Sequence, residues 1–374
     1  MDNTNHVKIL HIAQAAGGVE RYLQMLLGRI DTNKYENIVI CSSDYDSDYF
    51  EKNKIEYYVK NLKRSIGIND FMAVIGVRKL IKKISPDIIY CHSSKGGAIG
   101  RLANVGLNYK CIYNPHGWAF NMNCNKIKRN IYSFIEKVLT NFCDAIICIS
   151  EAEKMSALDK KISPKEKLIV IKNGIDIEKY KLEAKISRTA LNIPEDAYVV
   201  GMVARLSRQK SPDIFIRMAE KVKEKIPNAF FIMVGDGDQR EEIETFIENS
   251  NLKSSVIITG WVDNPFSYMR IFNVGLLLSR WEGFGLVLAE YMLAQVPIVV
   301  TAVDAIPYII DNEKNGLLVK VDDINETTKA VIRLHDDGML SNKMIVNGLR
   351  EVNEKYDIKR VISEHKELIE KILL

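Results

Sequence analysis

The sequence lacks the long apolar runs that membrane-spanning segments need. No stretch approaches the roughly 18 consecutive apolar residues of a transmembrane helix, although apolar residues make up 47% of the 374-residue chain. Residues 1–6 include an acidic side chain and no apolar core, so we expect no secretory signal here. We therefore expect a cytoplasmic globular protein, and peripheral association with the inner face of the cell membrane stays open.

Cysteine usage gives no sign of a zinc site or a disulfide framework. The six cysteines form no Cys-x-x-Cys pair, and several of them lie inside apolar, strand-like runs, which is typical of reduced core residues. Alternating aspartates at residues 44–48 and 236–238 have no further ligand cluster nearby and are typical of turns after strands. We expect no metal site.

The net charge of +4 is small but unevenly distributed along the chain. Residues 1–175 contain 26 Lys and Arg against 17 Asp and Glu, which leaves 26 against 31 in the remainder. The excess of positive charge in the first half indicates an anionic surface as its partner. A nucleic acid is not favoured, because the basic residues are not interleaved with stacking aromatic side chains.

Short β-branched runs alternate with amphipathic stretches, which predicts parallel sheets. Strand-like runs of the first half lie at residues 7–13, 37–42, 55–59, 87–92, 111–115, 144–150 and 167–171. A second series lies at residues 198–204, 230–234, 255–259, 274–278, 297–301 and 317–321. Consecutive apolar positions in these runs indicate strands covered on both faces. The pattern predicts an α/β protein of two doubly wound, Rossmann-like domains that face each other across a cleft, with ligands at the carboxyl ends of the strands.

The length of the chain also favours two domains. We place an N-terminal domain at residues 1–175, a linker at 176–197 and a C-terminal domain at 198–355. The helical pattern at residues 356–374 accompanies no strand, so we expect this helix to pack back on the first domain.

The stretch from Ser279 to Glu290 carries the strongest indication of a functional site. A strand-like run leads into a turn formed by Gly283, Phe284 and Gly285, and an apolar helical pattern follows from Leu286. The unpaired N–H groups and the dipole at a helix N-terminus attract anions. An ordinary loop with two solvated acids, Glu282 and Glu290, is the alternative interpretation.

Two cations follow the first strand of the same predicted sheet. Arg205 and Lys210 combine a planar fork of donors with a point charge, which suits a diphosphate, although a basic loop can also be merely solvated. In the first half, Gly17 and Gly18 open a helix, and their small size allows a ligand to approach the backbone. The spacing is not Gly-x-Gly-x-x-Gly, so a dinucleotide fingerprint is absent. His116, at the end of another strand, is a candidate site histidine or a structural one.

Taken in order, these segments resemble the family-4 retaining glycosyltransferases of the GT-B fold, also called glycosyltransferase group 1. The resemblance covers nearly the whole chain and is carried by Gly17-Gly18-Val19-Glu20, His116-Gly117, Ser150-Glu151, Asn173-Gly174-Ile175-Asp176, the stretch from Arg205 to Lys210, Gly235-Asp236-Gly237 and Glu282-x7-Glu290. Two departures, at Gln295-Val296 and from Asp304 to Tyr308, bear on contacts to the sugar or the acceptor.

The resemblance implies a catalytic set of Arg205, Lys210, Glu282 and His116. Arg205 and Lys210 would bind the donor diphosphate together with backbone N–H groups near Gly285 and Leu286. Glu282 would contact the hydroxyls of the donor sugar and Glu290 those of the ribose. The remaining donor contacts would come from Gly17, Gly18, Trp261, Val262, Gly283 and Phe284.

The implied reaction is a retaining, metal-independent transfer of a hexosyl group from a nucleotide sugar, such as a UDP- or GDP-sugar, to a hydroxyl acceptor. No cofactor is expected, and the acceptor would be a glycan or lipid-linked intermediate of surface polysaccharide assembly. A non-catalytic GT-B binding protein and a sugar-nucleotide epimerase are the alternatives. The basic residues Lys63, Arg64, Arg78, Lys79, Lys82, Lys83, Lys126, Lys128 and Arg129 would rest on anionic lipid or form solvated helix faces.

Overall fold

The computed structural model describes residues 6–14, 16–60, 62, 69–122 and 124–374. Contacts between Cα atoms divide the chain into two compact units. The first unit comprises Met1–Asn173 together with Ile358–Leu374, and the second comprises Gly174–Asp357. Residues 176–197, the predicted linker, therefore fall within the second unit.

The first unit is built on a parallel sheet, which has seven strands in the described part of the chain. These are β1 (Val7–Ala13), β2 (Tyr35–Cys41), β3 (Glu56–Val59), β4 (Ile88–His92), β5 (Lys110–Asn114), β6 (Ala145–Cys148) and β7 (Leu168–Val170). Their order is β3-β2-β1-β4-β5-β6-β7, so the direction of chain progression reverses beside β1. In doubly wound sheets, ligands bind at this point of reversal.

The second unit repeats the same plan with six parallel strands among its described residues. They are β8 (Tyr198–Val203), β9 (Ala229–Val234), β10 (Val256–Ile258), β11 (Val274–Leu277), β12 (Ile298–Thr301) and β13 (Leu317–Val319). The order β10-β9-β8-β11-β12-β13 places the reversal between β8 and β11. The prediction of two doubly wound parallel α/β domains is confirmed.

Helices connect the strands in both units. The first unit contains α1 (Gly18–Leu27), α2 (Ser47–Lys52), α3 (Asn69–Ile84), α4 (Ser94–Asn104), α5 (Lys126–Leu139) and α6 (Glu151–Asp159). The second contains α7 (Ile177–Lys181), α8 (Pro212–Lys225), α9 (Arg240–Glu248), α10 (Pro265–Met269), α11 (Leu286–Leu293), α12 (Ile324–Asp336) and α13 (Gly338–Lys355). The last helix, α14 (Ile358–Leu373), belongs to the first unit. Of the helices described, none is long and apolar enough to cross a membrane.

Both sheets are covered by apolar residues on their two faces. All residues of β4 and β9 are buried, which explains why their sequences are continuously apolar rather than alternating. On one face of the first sheet, Ile358, Val361 and Leu368 of α14 join a core cluster with residues of β1, β4 and β5. The last helix is therefore part of the hydrophobic core of the first unit, as the sequence predicted.

Several strands are shorter than their apolar runs, because residues at the ends of a run have other roles. The run predicted at 144–150 forms a strand only from Ala145 to Cys148. Asp144 instead accepts a hydrogen bond from the Cys111 N–H (2.7 Å), and Ser150 caps the N-terminus of α6 through its side chain. Both residues thereby satisfy backbone N–H groups at the borders of elements.

Candidate active site

Two loops at the carboxyl ends of the neighbouring strands β8 and β11 are joined by hydrogen bonds. The Arg280 N–H donates to the Gln209 carbonyl (2.8 Å), and the Gln209 side-chain amide donates to the Trp281 carbonyl (2.9 Å). The Arg280 guanidinium also donates to the Arg208 carbonyl (2.8 Å). Because β8 pairs with β11, these contacts bring the Arg205–Lys210 loop against the glycine turn.

Arg280 anchors this pair of loops through its charge. Its guanidinium contacts the carboxylates of Asp213 and Asp322, both at 2.8 Å. Asp213 lies in the first turn of α8, so the ion pair also fixes the start of that helix. Both carboxylates belong to the second unit, so the charge of Arg280 is engaged by the protein itself. Arg280 therefore supports the loops of the predicted site.

Lys210 and Glu282, both predicted site residues, are in direct contact. The Lys210 ammonium pairs with the Glu282 carboxylate, which also accepts a hydrogen bond from the Ser279 hydroxyl (3.0 Å). Glu282 is only 8% exposed. Its backbone N–H donates to the Asp304 carboxylate (2.8 Å), and burial raises the pKa of Asp304 above its usual range. The carboxylate of Glu282 is therefore held in one place by several partners.

The glycine turn presents the start of α11 without a side-chain cap. Gly285 has φ 74° and ψ 63°, a left-handed conformation that glycine adopts without strain, and no side chain bonds to the first turn. The first N–H groups of a helix have no partner within the helix, so they can bind an anion. Phe284 beside the turn is buried, and its ring meets the Tyr356 ring edge-on with centroids 5.7 Å apart.

Glu290 lies in α11 and is almost completely buried, at 2% exposure. Its Oε1 atom accepts a hydrogen bond from the Tyr180 hydroxyl (2.7 Å), and the Tyr180 ring packs on Phe266 at 4.7 Å. This contact orients the Glu290 carboxylate, a group that can accept several hydrogen bonds. Tyr180 was not predicted, because it lies in the stretch interpreted as a linker.

Arg205 follows β8 and is exposed. Within the described ranges its guanidinium has no hydrogen-bond or ion-pair partner, so it differs from Lys210 and Arg280.

The loop after β9 lies close to the loop after β8. A Cβ at Gly235 would lie 2.1 Å from the Ala204 carbonyl oxygen, and one at Gly237 would lie 2.2 Å from that of Leu206. Only glycine fits these two positions.

Trp261 and Val262 come after β10, at the far side of the same row of strands. The Trp261 side chain is 72% exposed, whereas Val262 is half-buried. The predicted residues of the second unit therefore lie on the side of the sheet where its parallel strands end. They are Arg205, Lys210, Trp261, Val262, Glu282, Gly283, Phe284, Gly285, Leu286 and Glu290.

In the first unit, the backbone at Gly17 and Gly18 is open. Gly17 has φ 87°, and a Cβ built on either glycine would meet no atom of the described residues within 4 Å. The Gly17 N–H donates to the Glu20 carboxylate (3.2 Å) at the start of α1. The same helix carries Tyr22, whose ring meets the His116 ring edge-on at 4.7 Å. Helix α1 therefore links the glycine pair to the predicted histidine.

His116 follows β5 with φ 52° and is half-buried. Its Nε2 atom lies 3.0 Å from the Nδ1 atom of His92, and burial lowers the pKa of His116 to about 3. The imidazole is therefore neutral near pH 7, which suits a hydrogen-bonding role better than that of a strong base. His92, which closes β4, is the residue that His116 contacts here.

A buried acid near His116, Glu153 of α6, was missed from the sequence. Its Oε2 atom accepts a hydrogen bond from the Ile149 N–H (2.9 Å), whereas Oε1 has no partner within the described ranges. A Cβ at Gly117 would lie 3.9 Å from Oε1. Burial raises the pKa of Glu153 to about 8. The pattern Ser150-Glu151 marked this turn, but the buried carboxyl is two residues further on.

Neither aspartate pattern forms a metal site with other residues that the structure describes. No group of three or more His, Cys, Asp or Glu is arranged there to hold a metal ion. Asp46 instead caps α2 by accepting from the Asp48 N–H, and Asp236 accepts from the Gly237 N–H (2.8 Å). These contacts are the turn chemistry expected of such patterns.

Sequence comparison relates both units to known proteins. A family model of the group 1 glycosyl transferases matches residues 183–351, and one of glycosyltransferase family 4 matches residues 16–179. The UDP-Gal:alpha-D-GlcNAc-diphosphoundecaprenol alpha-1,3-galactosyltransferase of Escherichia coli is 28% identical over 94% of this chain and 96% of its own length. An uncharacterized 41.2 kDa protein in the cps region of Klebsiella pneumoniae is 30% identical, over 86% of this chain and 88% of its own length.

Structural comparison supports the fold. The crystal structure of Anabaena HepE in complex with UDP-glucose superposes with a TM-score of 0.82 and 21% sequence identity. The superposition covers 98% of this chain and 100% of that chain. The two-sheet architecture described above is therefore shared along the full length of that protein.

The raised pKa of Glu153 predicts how stability depends on pH. Its pKa moves from 4.5 to about 8 on folding, so between these values the folded protein holds a proton that the unfolded chain has released. The free energy of unfolding should therefore fall as pH rises from about 5 to 8, by at most about 1.4 kcal/mol per pH unit from this group. Glu153→Gln, which stays uncharged, should remove this contribution in chemical denaturation measured across that range.

The exposed neighbour Glu151 provides the matched control, because Glu151→Gln should keep the wild-type slope. A slope in Glu153→Gln equal to that of the wild type would show that Glu153 does not bury a proton.

Proposed function

This chain belongs to glycosyltransferase family 4, and we propose that it transfers a hexosyl group from a UDP-sugar to a hydroxyl group of a lipid-linked glycan, with retention of configuration. The observation that carries the proposal is the juxtaposition, at one sheet edge, of Lys210 and Glu282 with the uncapped start of α11. This edge offers positive charge and N–H donors for a diphosphate beside a buried carboxylate for sugar hydroxyls.

Each predicted donor contact has a physical basis in this arrangement. Arg205 is a cation without a protein partner in the described part of the chain, so it is available for phosphate oxygens. Lys210 is held beside the turn by Glu282 and has donors left for the same diphosphate. Glu290, oriented by Tyr180, would accept hydrogen bonds from the ribose, and Trp261 and Val262 would border the base.

The chemical step breaks the bond between the anomeric carbon and the diphosphate oxygen. The electron pair of this bond goes to the phosphate oxygen, and fixed cations and helix N–H groups stabilise the resulting charge. The acceptor oxygen forms its bond to the same face of the sugar, and its proton passes to the departing phosphate. In this proposal the cations of the site supply the stabilising charge, no metal takes part and no carboxylate becomes a covalent nucleophile.

The choice of donor and acceptor rests on the relatives. The Escherichia coli relative is named for UDP-Gal as donor, a diphosphoundecaprenol-linked GlcNAc as acceptor and an alpha-1,3 linkage, and it matches over nearly the whole chain. The Klebsiella relative is encoded in a cps region. We therefore take UDP-galactose and a lipid-diphosphate-linked sugar as the first pair to test, within surface polysaccharide assembly.

Two other functions on this fold would differ in their products. A non-catalytic binding protein would bind the nucleotide sugar without releasing UDP, although the ordered Lys210–Glu282 contact would serve binding as well. A sugar-nucleotide epimerase would convert the donor without any acceptor. Incubation of the protein with a UDP-sugar, alone and with the lipid-linked acceptor, distinguishes both from a transferase.

Removal of the free cation should slow transfer strongly. We expect Arg205→Ala to lower kcat by on the order of 10²–10³, as is typical when one donor that stabilises a developing negative charge is lost. The measurement is UDP release and product formation with UDP-galactose and the lipid-linked acceptor. Arg217→Ala, which removes an exposed cation of α8 in the same unit, is the control and should keep wild-type rates. Near-normal turnover of Arg205→Ala would contradict the diphosphate role.

The configuration of the product tests the retaining mechanism. With an α-linked UDP-hexose, we expect an α-linked product, because attack and departure occur on the same face of the sugar. The ¹H NMR coupling at the anomeric position of the purified product distinguishes the two anomers. A β-linked product would require inversion and would overturn this part of the proposal, whichever acceptor is used.

We also propose that one helix of the first unit rests on anionic lipid. Four apolar side chains on one face of α5 are exposed: Ile127 (71%), Ile131 (50%), Phe134 (68%) and Val138 (42%). Their spacing of four, three and four residues places them in one stripe, which we call the α5 stripe. Lys126, Lys128, Arg129 and Lys137 belong to the same helix and give it the positive charge that anionic headgroups attract.

The other basic residues of the prediction contribute unequally. Arg78 donates hydrogen bonds to the carbonyls of Ala103 and Val105 (2.9 and 2.6 Å), so its charge is engaged by the protein. Lys83 lies 5.8 Å from the centre of the Tyr58 ring. Lys63 and Arg64 lie outside the described residues. The α5 stripe is therefore the part of the basic half that best fits a lipid surface.

Acidic substitutions in the α5 stripe should abolish lipid binding. We expect wild-type protein to co-sediment with vesicles containing phosphatidylglycerol and to do so weakly with phosphatidylcholine alone. Ile131→Glu combined with Phe134→Glu should reduce binding by about 100-fold or more, because each buried apolar side chain contributes on the order of 1.5–3 kcal/mol. Met339→Glu, an exposed apolar position of the second unit, is the control. Binding that does not depend on the anionic lipid content, or that persists after the double substitution, would show that the α5 stripe does not bind lipid.

A further inference from the structure

Three histidines and an asparagine form a diagonal row across four neighbouring strands of the first sheet. In the parallel register, Ile9 of β1 lies opposite Asn37, His11 opposite Tyr90, and His92 opposite Asn114. From Asn37 to His11 to His92, each member therefore stands two residues further along its strand than its predecessor, and His116 follows two residues after Asn114, the last residue of β5. Residues two apart in a strand point to the same face, so Asn37, His11 and His92 lie on one side of the sheet, and the contact with His92 brings His116 to the same side.

Hydrogen-bonding atoms connect the whole row. His116 Nε2 lies 3.0 Å from His92 Nδ1, and His92 Nε2 lies 3.1 Å from His11 Nδ1. His11 Nε2 lies 3.0 Å from Asn37 Oδ1. His11 and His92 thus each use their ε nitrogen toward β2 and their δ nitrogen toward β5.

The asparagine end of the row fixes the direction of every hydrogen bond. The Asn37 Nδ2 group donates to the Tyr35 carbonyl (3.4 Å), so Oδ1 is the atom that faces His11. A carbonyl oxygen only accepts, and His11 must therefore donate from Nε2. A neutral imidazole carries one N–H, which makes Nδ1 of His11 an acceptor and Nε2 of His92 its donor. The same step repeated assigns the Nε2–H tautomer to His116.

The surroundings keep the row uncharged. His11 and His92 are fully buried, which lowers the pKa of His11 to about 4 and that of His92 well below its ordinary value. The ionisable groups that face the row are the hydroxyls of Tyr22 and Tyr90 and the imidazole of His365 on α14. His365 donates from Nδ1 to the Val361 carbonyl (2.7 Å), so its Nε2 is left to accept from Tyr22 (2.8 Å) or Tyr90 (2.9 Å). Among the described residues, these contacts with the row involve no carboxylate.

We infer that Asn37, His11 and His92 are positioning residues that hold His116 as the neutral Nε2–H tautomer, so that its Nδ1 lone pair accepts a hydrogen bond from a substrate hydroxyl. This inference rests on the proposed function, because it concerns how the first unit would orient a substrate hydroxyl in that reaction. Nδ1 has no partner within the described residues, and His116 is the only half-buried histidine of the row. The Nδ1 atom, which accepts the hydrogen bond, therefore lies at the partly exposed end of the row, where a ligand can reach it.

The row positions His116 and does not carry a proton away from the site. If Nδ1 of His116 took a proton, transfer along the row would deliver one to the Asn37 amide oxygen. An amide is a very weak base, so the transfer would end there. The row thus fixes a direction for hydrogen bonding, and the acceptor proton goes to the departing phosphate as proposed above.

The tautomers can be observed directly. The chain has six histidines, so ¹H–¹⁵N long-range correlation spectra of ¹⁵N-histidine-labelled protein can be assigned by single substitutions. We expect the Nε2–H pattern for His11, His92 and His116 at pH 7, and the Nδ1–H pattern for His365. In Asn37→Leu, which removes the terminal acceptor, His116 should show a mixture of tautomers. An Nδ1–H or a charged His116 in the wild-type protein would overturn the inference, whether or not the protein is a transferase.

Kinetics with the same variants separate positioning from folding. We expect Asn37→Leu to lower kcat by about tenfold while the KM for the nucleotide sugar changes less than twofold, since the donor phosphates are bound in the other unit. Asn37→Asp retains an acceptor for His11 and should recover most of the activity and the Nε2–H pattern. His6→Asn alters an exposed histidine of the same unit and should leave both readouts unchanged. Equal activity of Asn37→Leu and wild type would overturn the positioning role, and an inactive wild type would instead contradict the proposed function.

Discussion

Parallel pairing of β8 with β11 is the constraint on which the candidate site of the second unit depends. All strands of the sheet end at one edge, and the reversal of strand order puts the loops after β8 and β11 next to each other. The hydrogen bonds of Gln209 and Arg280 then fix the distance between these loops. Lys210 and Glu282, which lie 72 residues apart in sequence, therefore meet, and the turn that leads into α11 uses Gly285, which adopts its left-handed conformation without strain.

The two units have similar folds, but the electrostatic environments of their predicted site residues differ. The second unit concentrates charged groups and pairs them, so that Lys210 and Arg280 each have a carboxylate partner. In the first unit, the row of imidazoles stays neutral because desolvation opposes protonation. In the proposed reaction, the former environment would stabilise a departing diphosphate, and the latter would orient a sugar hydroxyl by a directed hydrogen bond.

The sequence predicts well what depends on local pattern. Alternating apolar runs and amphipathic stretches fix the strands and helices, and the turn at Gly285 follows from glycine chemistry. The local sequence pattern does not indicate which distant residues come into contact. Tyr180 and Glu290 are 110 residues apart, and Tyr22 and His365 are 343 apart. These pairs require the sheet register and the return of α14 to the first unit, so the contacts of Tyr180, Asp304 and Glu153 and the hydrogen bonds of the histidine row could not be found beforehand.

The burial of His116 also limits which group can deprotonate the acceptor. A pKa of about 3 means that the imidazole binds a proton weakly at neutral pH, so general-base catalysis by His116 would be inefficient. Glu153 nearby has its pKa raised to about 8, but its carboxyl is buried and bonded to the Ile149 N–H. In the first unit, neither group suits the removal of a proton from a sugar hydroxyl. In the proposed transfer, the departing phosphate carries negative charge on an oxygen next to the reacting carbon, and it is the base that we propose.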